Sequence, residues 1–182
     1  MNTPVAADSG HVLLMLRDLA DNAVLWWGLA ACGLAQLSKL LIELVQHRRW
    51  RPRVLVETGG MPSSHSALIT GTSAGIGWSH GFQDPLFALA ACLCFVILYD
   101  ASGVRRAAGL TAERVNGLPA ELWGEAAAGA AGGALRPLKE NLGHTRPEVL
   151  VGSLLGPAIA LPGLVLVGSP LHLVQSLLQA RG

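Results

Sequence analysis

The sequence predicts an all-α, polytopic membrane helix bundle with about four membrane-embedded helices and shorter amphipathic or interfacial helices around them. Three observations carry this. Of 182 residues, 51% are hydrophobic and only 14% are charged, about half the charged share of a soluble domain. Mean hydropathy is +0.45. Apolar runs recur at lengths near the roughly 20 residues that a bilayer core requires. The length suggests one domain spanning residues 1–182.

The first membrane helix is expected over Val24–Val45, entered through Trp26 and Trp27 and carrying Lys39 and Glu43 near its end. Tryptophan favours the membrane–water boundary, and five of the nine aromatic residues are tryptophan. The second, Ser64–His80, is short and rich in Gly, Ser and Thr, which suits close packing between membrane helices. The third runs from Pro85 to about Ala101, and the fourth from Val149 to Gly168 through Pro157 and Pro162. Proline is tolerated in membrane helices. Before these, Val12–Leu16 has no basic segment ahead of it, and Arg17 and Asp18 follow at once. It reads as a short interfacial or packing helix rather than a signal peptide. Glu121–Leu135 is Ala- and Gly-rich and reads as a further helix within the long connection Val104–Glu148. Leu171–Leu178 reads as a last amphipathic helix.

Folding these helices up and down brings the end of the first, the start of the second, the end of the third and the start of the fourth to one face. Ten of the 13 Lys and Arg fall in the two connections there: Arg48, Arg49, Arg51, Arg53, Arg105, Arg106, Arg114, Arg136, Lys139 and Arg146. The positive-inside rule then makes this face cytoplasmic, in a bacterial-type inner membrane or its equivalent. The formal charge of +1 and the sparse aromatics point away from nucleic acid. Cys32, Cys92 and Cys94 form no CxxC and are odd in number, so they read as small buried hydrophobes rather than a disulfide framework or a zinc site.

The same face collects the chemistry. In Gly59-Gly60-Met61-Pro62-Ser63-Ser64-His65-Ser66, serines precede an apolar helix, so Ser63 or Ser64 can cap it. The free amides and partial positive charge of a helix N-terminus suit phosphate. His65, in the first turn, can give a proton to a leaving oxygen; the plain alternative is a capped turn with an interfacial histidine. In His144-Thr145-Arg146-Pro147-Glu148, Thr145 and Glu148 have capping-box spacing. Glu148 can equally hold His144 in a productive tautomer, leaving His144 to attack phosphorus. Asp100, at the end of an apolar run, is costly at membrane depth and thus a functional candidate. Its plain alternative is a pair with Arg105. Arg105 and Arg106 can present planar forks to phosphate oxygens. Lys39 is either a phosphate ligand or an i,i+4 partner of Glu43. No metal-ligand motif is present, and no metal or other cofactor is expected.

GGMPSSHSA, YDASGVRRAAG and LKENLGHTRPEVLVG together resemble the divergent PAP2 family of membrane proteins, distantly related to acid phosphatases and vanadium-dependent haloperoxidases. The resemblance covers about Leu34 to Gly156. It implies that Pro62-Ser63-Ser64-His65 stands for the motif carrying the acid histidine, and that His144 with Glu148 stands for the nucleophile and its carboxylate. Lys39 would be the first-motif lysine. Leu138 occupies the place of the third-motif arginine, for which Lys139, Arg136 or Arg105 could substitute. YDASGVRR has no counterpart in the ordinary motif set.

The resulting expectation is a membrane phosphatase acting on a lipid phosphate or diphosphate of polyprenyl or phosphatidyl type. His144 is the nucleophile, Glu148 orients it, His65 is the acid, and Asp100 positions Arg105 or a histidine. Lys39, Ser63, Ser64, Arg105, Arg106 and Lys139 bind phosphate. The rival readings are a non-catalytic lipid-phosphate or anion-binding membrane protein, and a small transporter. The expected partners are the lipid phosphate and membrane lipids. Small-residue helices such as Ser64–His80 and Ala126–Ala134 would also permit a homodimer.

Overall fold

The computed structural model describes residues 9–48, 50, 52–55, 59–119 and 137–179. Among these residues the order is α1 (Ser9–Ala20), α2 (Ala23–His47), a 3-10 turn (Pro52–Leu55), α3 (Ser64–His80), α4 (Pro85–Ser102), α5 (Val104–Asn116), α6 (Arg146–Leu166) and α7 (Pro170–Gln179). The described residues contain no strand. Each expected membrane helix is present to within a few residues. Pro157 and Pro162 lie inside α6, which continues through both.

Three segments are long and apolar enough to cross a membrane: Ala23–Gln46, Pro85–Asn116 and Arg146–Gln179. α3, with 17 residues, is the exception. It need not be as apolar as the others because protein surrounds it: α3 packs against α6, α2 and α4. Its buried positions are small, among them Ser66, Ala67, Gly71, Ser73 and Gly75. α3 and α6 cross at close range. A β-carbon on Gly152 would overlap the Ser63 carbonyl, and one on Gly156 would overlap the Ala67 carbonyl. Backbones that approach this closely gain dispersion contacts, which drive helix association where lipid removes the hydrophobic drive.

The outer surfaces are apolar. Leu34, Leu37 and Leu41 on α2, Leu86, Leu89 and Leu93 on α4, and Leu154 and Val165 on α6 are all exposed. A soluble monomer rarely presents such continuous apolar surface; here it meets hydrocarbon. At the end of the bundle remote from the histidine motifs, Trp26 Nε1 donates to the Leu19 carbonyl at 3.1 Å, and Trp27 Nε1 to the Gly168 carbonyl at 2.8 Å. Ser169 also hydrogen-bonds Asp21. These bonds tie α1 and α2 to the α6–α7 corner. α1 carries exposed leucines along its length, and α7 has no buried residue, as interfacial helices would.

One element was not anticipated. Val104–Asn116, expected as connection, is helical. Its Ala, Arg, Leu and Glu residues are good helix formers, and its amphipathic pattern lacks the long apolar run that marks a span. The helix expected over Glu121–Leu135 lies outside the described residues.

Replacing Gly152 by Val forces α3 and α6 apart, at a cost of about 1–3 kcal/mol for overpacking. Thermal unfolding in detergent should show a Tm lowered by several degrees. Leu154→Ala, on an outward-facing position, should leave Tm nearly unchanged. Equal Tm values for Gly152→Val and the wild type would contradict the α3–α6 contact.

Candidate active site

Four helix ends meet at one level, and backbone and side-chain bonds hold them there. Lys39 Nζ, near the end of α2, donates to the Gly59 carbonyl at 2.9 Å. The Ser63 amide, at the start of α3, donates to the Glu148 carbonyl in the first turn of α6 at 3.0 Å. The His144 amide donates to the Ala101 carbonyl, at the end of α4, at 2.9 Å. The shared face expected from the chain order is therefore a connected polar layer.

His144 is buried, at 5% exposure. Its Nδ1 lies 3.0 Å from Glu148 Oε2. The same oxygen accepts the Thr145 amide at 3.2 Å, the reach-back half of a capping box. The two readings of Glu148 are thus both realised: it caps α6 and holds the imidazole. Since an ionised carboxylate only accepts, this contact favours a proton on Nδ1 and leaves Nε2 as the unprotonated nitrogen. Burial pushes the His144 imidazole below the ordinary 6.5, and the nearby Lys39 ammonium acts in the same direction. Hydrogen bonding to Glu148, together with its charge, and to the Gly60 backbone pulls the other way.

A cavity of about 200 Å³ is lined by His65, Val96, Ile97, Asp100, Ala101, Arg105, Leu142, Gly143 and His144. Both motif histidines, Asp100 and Arg105 therefore face one space. Arg105 Nε donates to Asp100 Oδ2 at 2.6 Å. His144, Arg105 and Lys39 are all close enough to His65 to act on it electrostatically.

The remaining expected residues are placed differently. Ser63 is fully buried as the α3 cap, with its Oγ accepting from the Ser66 amide at 3.3 Å and from Ser66 Oγ at 2.8 Å. Ser64 is buried beside it. Lys39 is 4% exposed and sits behind the histidines, on the Gly59 carbonyl, within electrostatic range of Glu148. Arg106 is half-buried and Lys139 exposed; neither lines the cavity. Arg136 lies outside the described residues.

What brings His144 into place was not legible from the motifs. Residues 138–144 run along α5 from its end to its start. Asn116 Nδ2 donates to the Leu138 carbonyl at 2.9 Å and to Glu140 Oε1 at 2.8 Å, and its Oδ1 accepts the Leu138 amide at 2.9 Å. Farther along, a β-carbon on Gly109 would stand 2.6 Å from the Glu140 carbonyl and 2.8 Å from that of Leu142. Gly143, at φ +75°, presses against the Arg105–Arg106 backbone, where a side chain has neither room nor a relaxed conformation. A lone glycine inside a helix-forming stretch was the available signal for Gly109.

With this geometry in view, comparison with known proteins is decisive on kinship. Residues 20–159 match the divergent PAP2 family. The chain belongs to that family. It is 37% identical over 150 residues to the uncharacterized membrane protein YuiD of Bacillus subtilis strain 168, a match covering 79% of this chain and 95% of that protein. No solved structure matches significantly. Family membership and the three apolar spans make this an integral membrane protein. The matched region contains both histidine motifs and α5, so the platform beneath His144 lies within the family's own segment.

In NMR titrations of histidine-labelled protein, His144 should show a midpoint below 6.5. Glu148→Gln removes the carboxylate charge that favours the imidazolium, so the midpoint should fall further. A midpoint above 6.5 in the wild type would contradict the buried, neutral imidazole.

Proposed function

We propose that the protein is a membrane phosphatase that hydrolyses a lipid phosphate or diphosphate through a phosphohistidine. The observation that carries this is the single cavity shared by His65, His144 and Arg105, with Glu148 on the far nitrogen of His144. Nε2 of His144 attacks phosphorus as the P–O bond to the leaving group breaks, and His65 delivers a proton to the departing oxygen. Water then attacks the phosphohistidine, with His65 taking the water's proton, and inorganic phosphate leaves. The Gly60 backbone contact of the ring yields to the incoming phosphoryl group.

Charge on the phosphoryl oxygens needs donors already in place. Arg105 supplies a guanidinium from α5, and Asp100 holds its Nε so that the remaining donors are presented to the cavity. This supports Arg105 as the substitute for the arginine that Leu138 displaces. Lys39 adds positive charge from behind. Ser63 and Ser64, being buried, support the α3 terminus, whose amides would contribute to phosphate binding. Arg106 and Lys139 would act on approach rather than in contact. We assign the site to the cytoplasmic side on the positive-inside rule.

Non-catalytic binding of the same anion is the second reading, favoured by one observation: Leu138 stands where the third-motif arginine is expected before His144. Phosphate release from a panel of lipid phosphates and diphosphates, with EDTA present, separates the two. Turnover should persist with chelator and fall about 10²- to 10⁴-fold in His65→Ala, the range for loss of a general acid. It should be abolished in His144→Ala. Absence of release from every substrate, with vanadate still bound, would select the binding reading.

A further inference from the structure

A second and larger space adjoins the cavity, of about 1230 Å³, between the last two turns of α4 and the first two of α6. Its walls are apolar, with Phe95, Val96 and Leu98 on one side and Val149 and Leu150 on the other. Val96 and Asp100 line both spaces, so the groove and the polar cavity adjoin along these two residues. α4 packs chiefly on α3, and α6 on α3 and α2, so these two helices diverge and leave the groove open sideways. Both belong to membrane-spanning segments, so its open side faces lipid.

Its depth fits one kind of occupant. Phe95 and Ser102 are seven positions apart, as are Arg146 and Ser153. At 1.5 Å per helical residue the groove reaches about 10 Å below the polar layer, roughly a third of a hydrocarbon core about 30 Å thick. Arg146 stands at the polar end. An apolar wall leading inward, with cationic groups at the polar end and phosphate donors beyond, complements an anionic headgroup joined to a hydrocarbon chain.

Resting on the phosphoryl site proposed above, we infer that this groove seats the headgroup-proximal part of a membrane lipid's chain. The substrate then enters sideways from the bilayer leaflet past Val96 and Asp100. The occupant is lipid rather than a second copy of the chain because the groove adjoins the phosphate cavity and carries Arg146 at its polar end. Residues facing it, notably Phe95, Leu98 and Leu150, set chain preference.

The test uses phosphatidate carrying a diazirine on its acyl chain, incorporated into phosphatidylcholine nanodiscs with the full-length protein. After irradiation, cross-links are mapped by mass spectrometry. Labelling at Phe95, Leu98 and Leu150 should exceed that at the lipid-facing Leu89, Leu93 and Val165 by several-fold. A neutral diacylglycerol probe with the same chain should show no such preference, and Arg105→Ala should erase it. Uniform labelling, or equal preference for the neutral probe, overturns the inference. So does a stable dimer whose groove residues cross-link to each other in place of lipid. The readout needs no turnover. Groove labelling without phosphate release sinks the phosphatase reading alone, and release with uniform labelling sinks the groove alone.

Discussion

The carboxylate of Glu148 joins fold to chemistry. One oxygen accepts both the Thr145 amide, which starts α6, and the His144 imidazole. The Glu148 carbonyl takes the Ser63 amide, which starts α3. Losing the side chain would free a helix terminus and a buried histidine together. Because the carboxylate is fixed by the helix it caps, the imidazole inherits that rigidity. The proposed nucleophile is therefore oriented before any substrate arrives.

Close backbone packing makes this geometry possible. α3 can lie at the bundle's centre with few large apolar residues because α2, α4 and α6 shield it. Gly152 lets α6 approach the Ser63 carbonyl, which places the Glu148 turn over the α3 cap. On the other side, α5 leaves α4 at Gly103 and provides a surface along which the segment before His144 is laid. The polar layer thus rests on glycine contacts on both sides of His144, Gly152 on one side and Gly109 and Gly143 on the other.

Much of this was legible in the sequence. The spans followed from apolar runs, and the convergence of His65, His144, Asp100 and Lys39 followed from counting helix ends. The structure separates residues that the motifs could not. Arg105 lines the cavity, whereas Lys139, three residues beyond Arg136 in the sequence, is solvated. Ser63 is occupied by its own helix, and Lys39 lies behind the histidines. α5 was missed because amphipathic helices without an apolar run resemble polar connections in a membrane sequence. The Asn116 contacts were missed because a bond between residues 22 positions apart has no local signature. YDASGVRR, which stood outside the ordinary motif set, supplies the cavity's arginine and the start of the platform under His144.

The central claim is that His144 carries the phosphoryl group, and on a defined nitrogen. Rapid quenching of the protein with a substrate labelled in its phosphoryl group, followed by peptide mapping, tests it most directly. With Nδ1 engaged by Glu148, the account predicts an acid-labile, alkali-stable phosphohistidine at Nε2 of His144. Label on Nδ1, label on another residue, or turnover without any covalent label would contradict it.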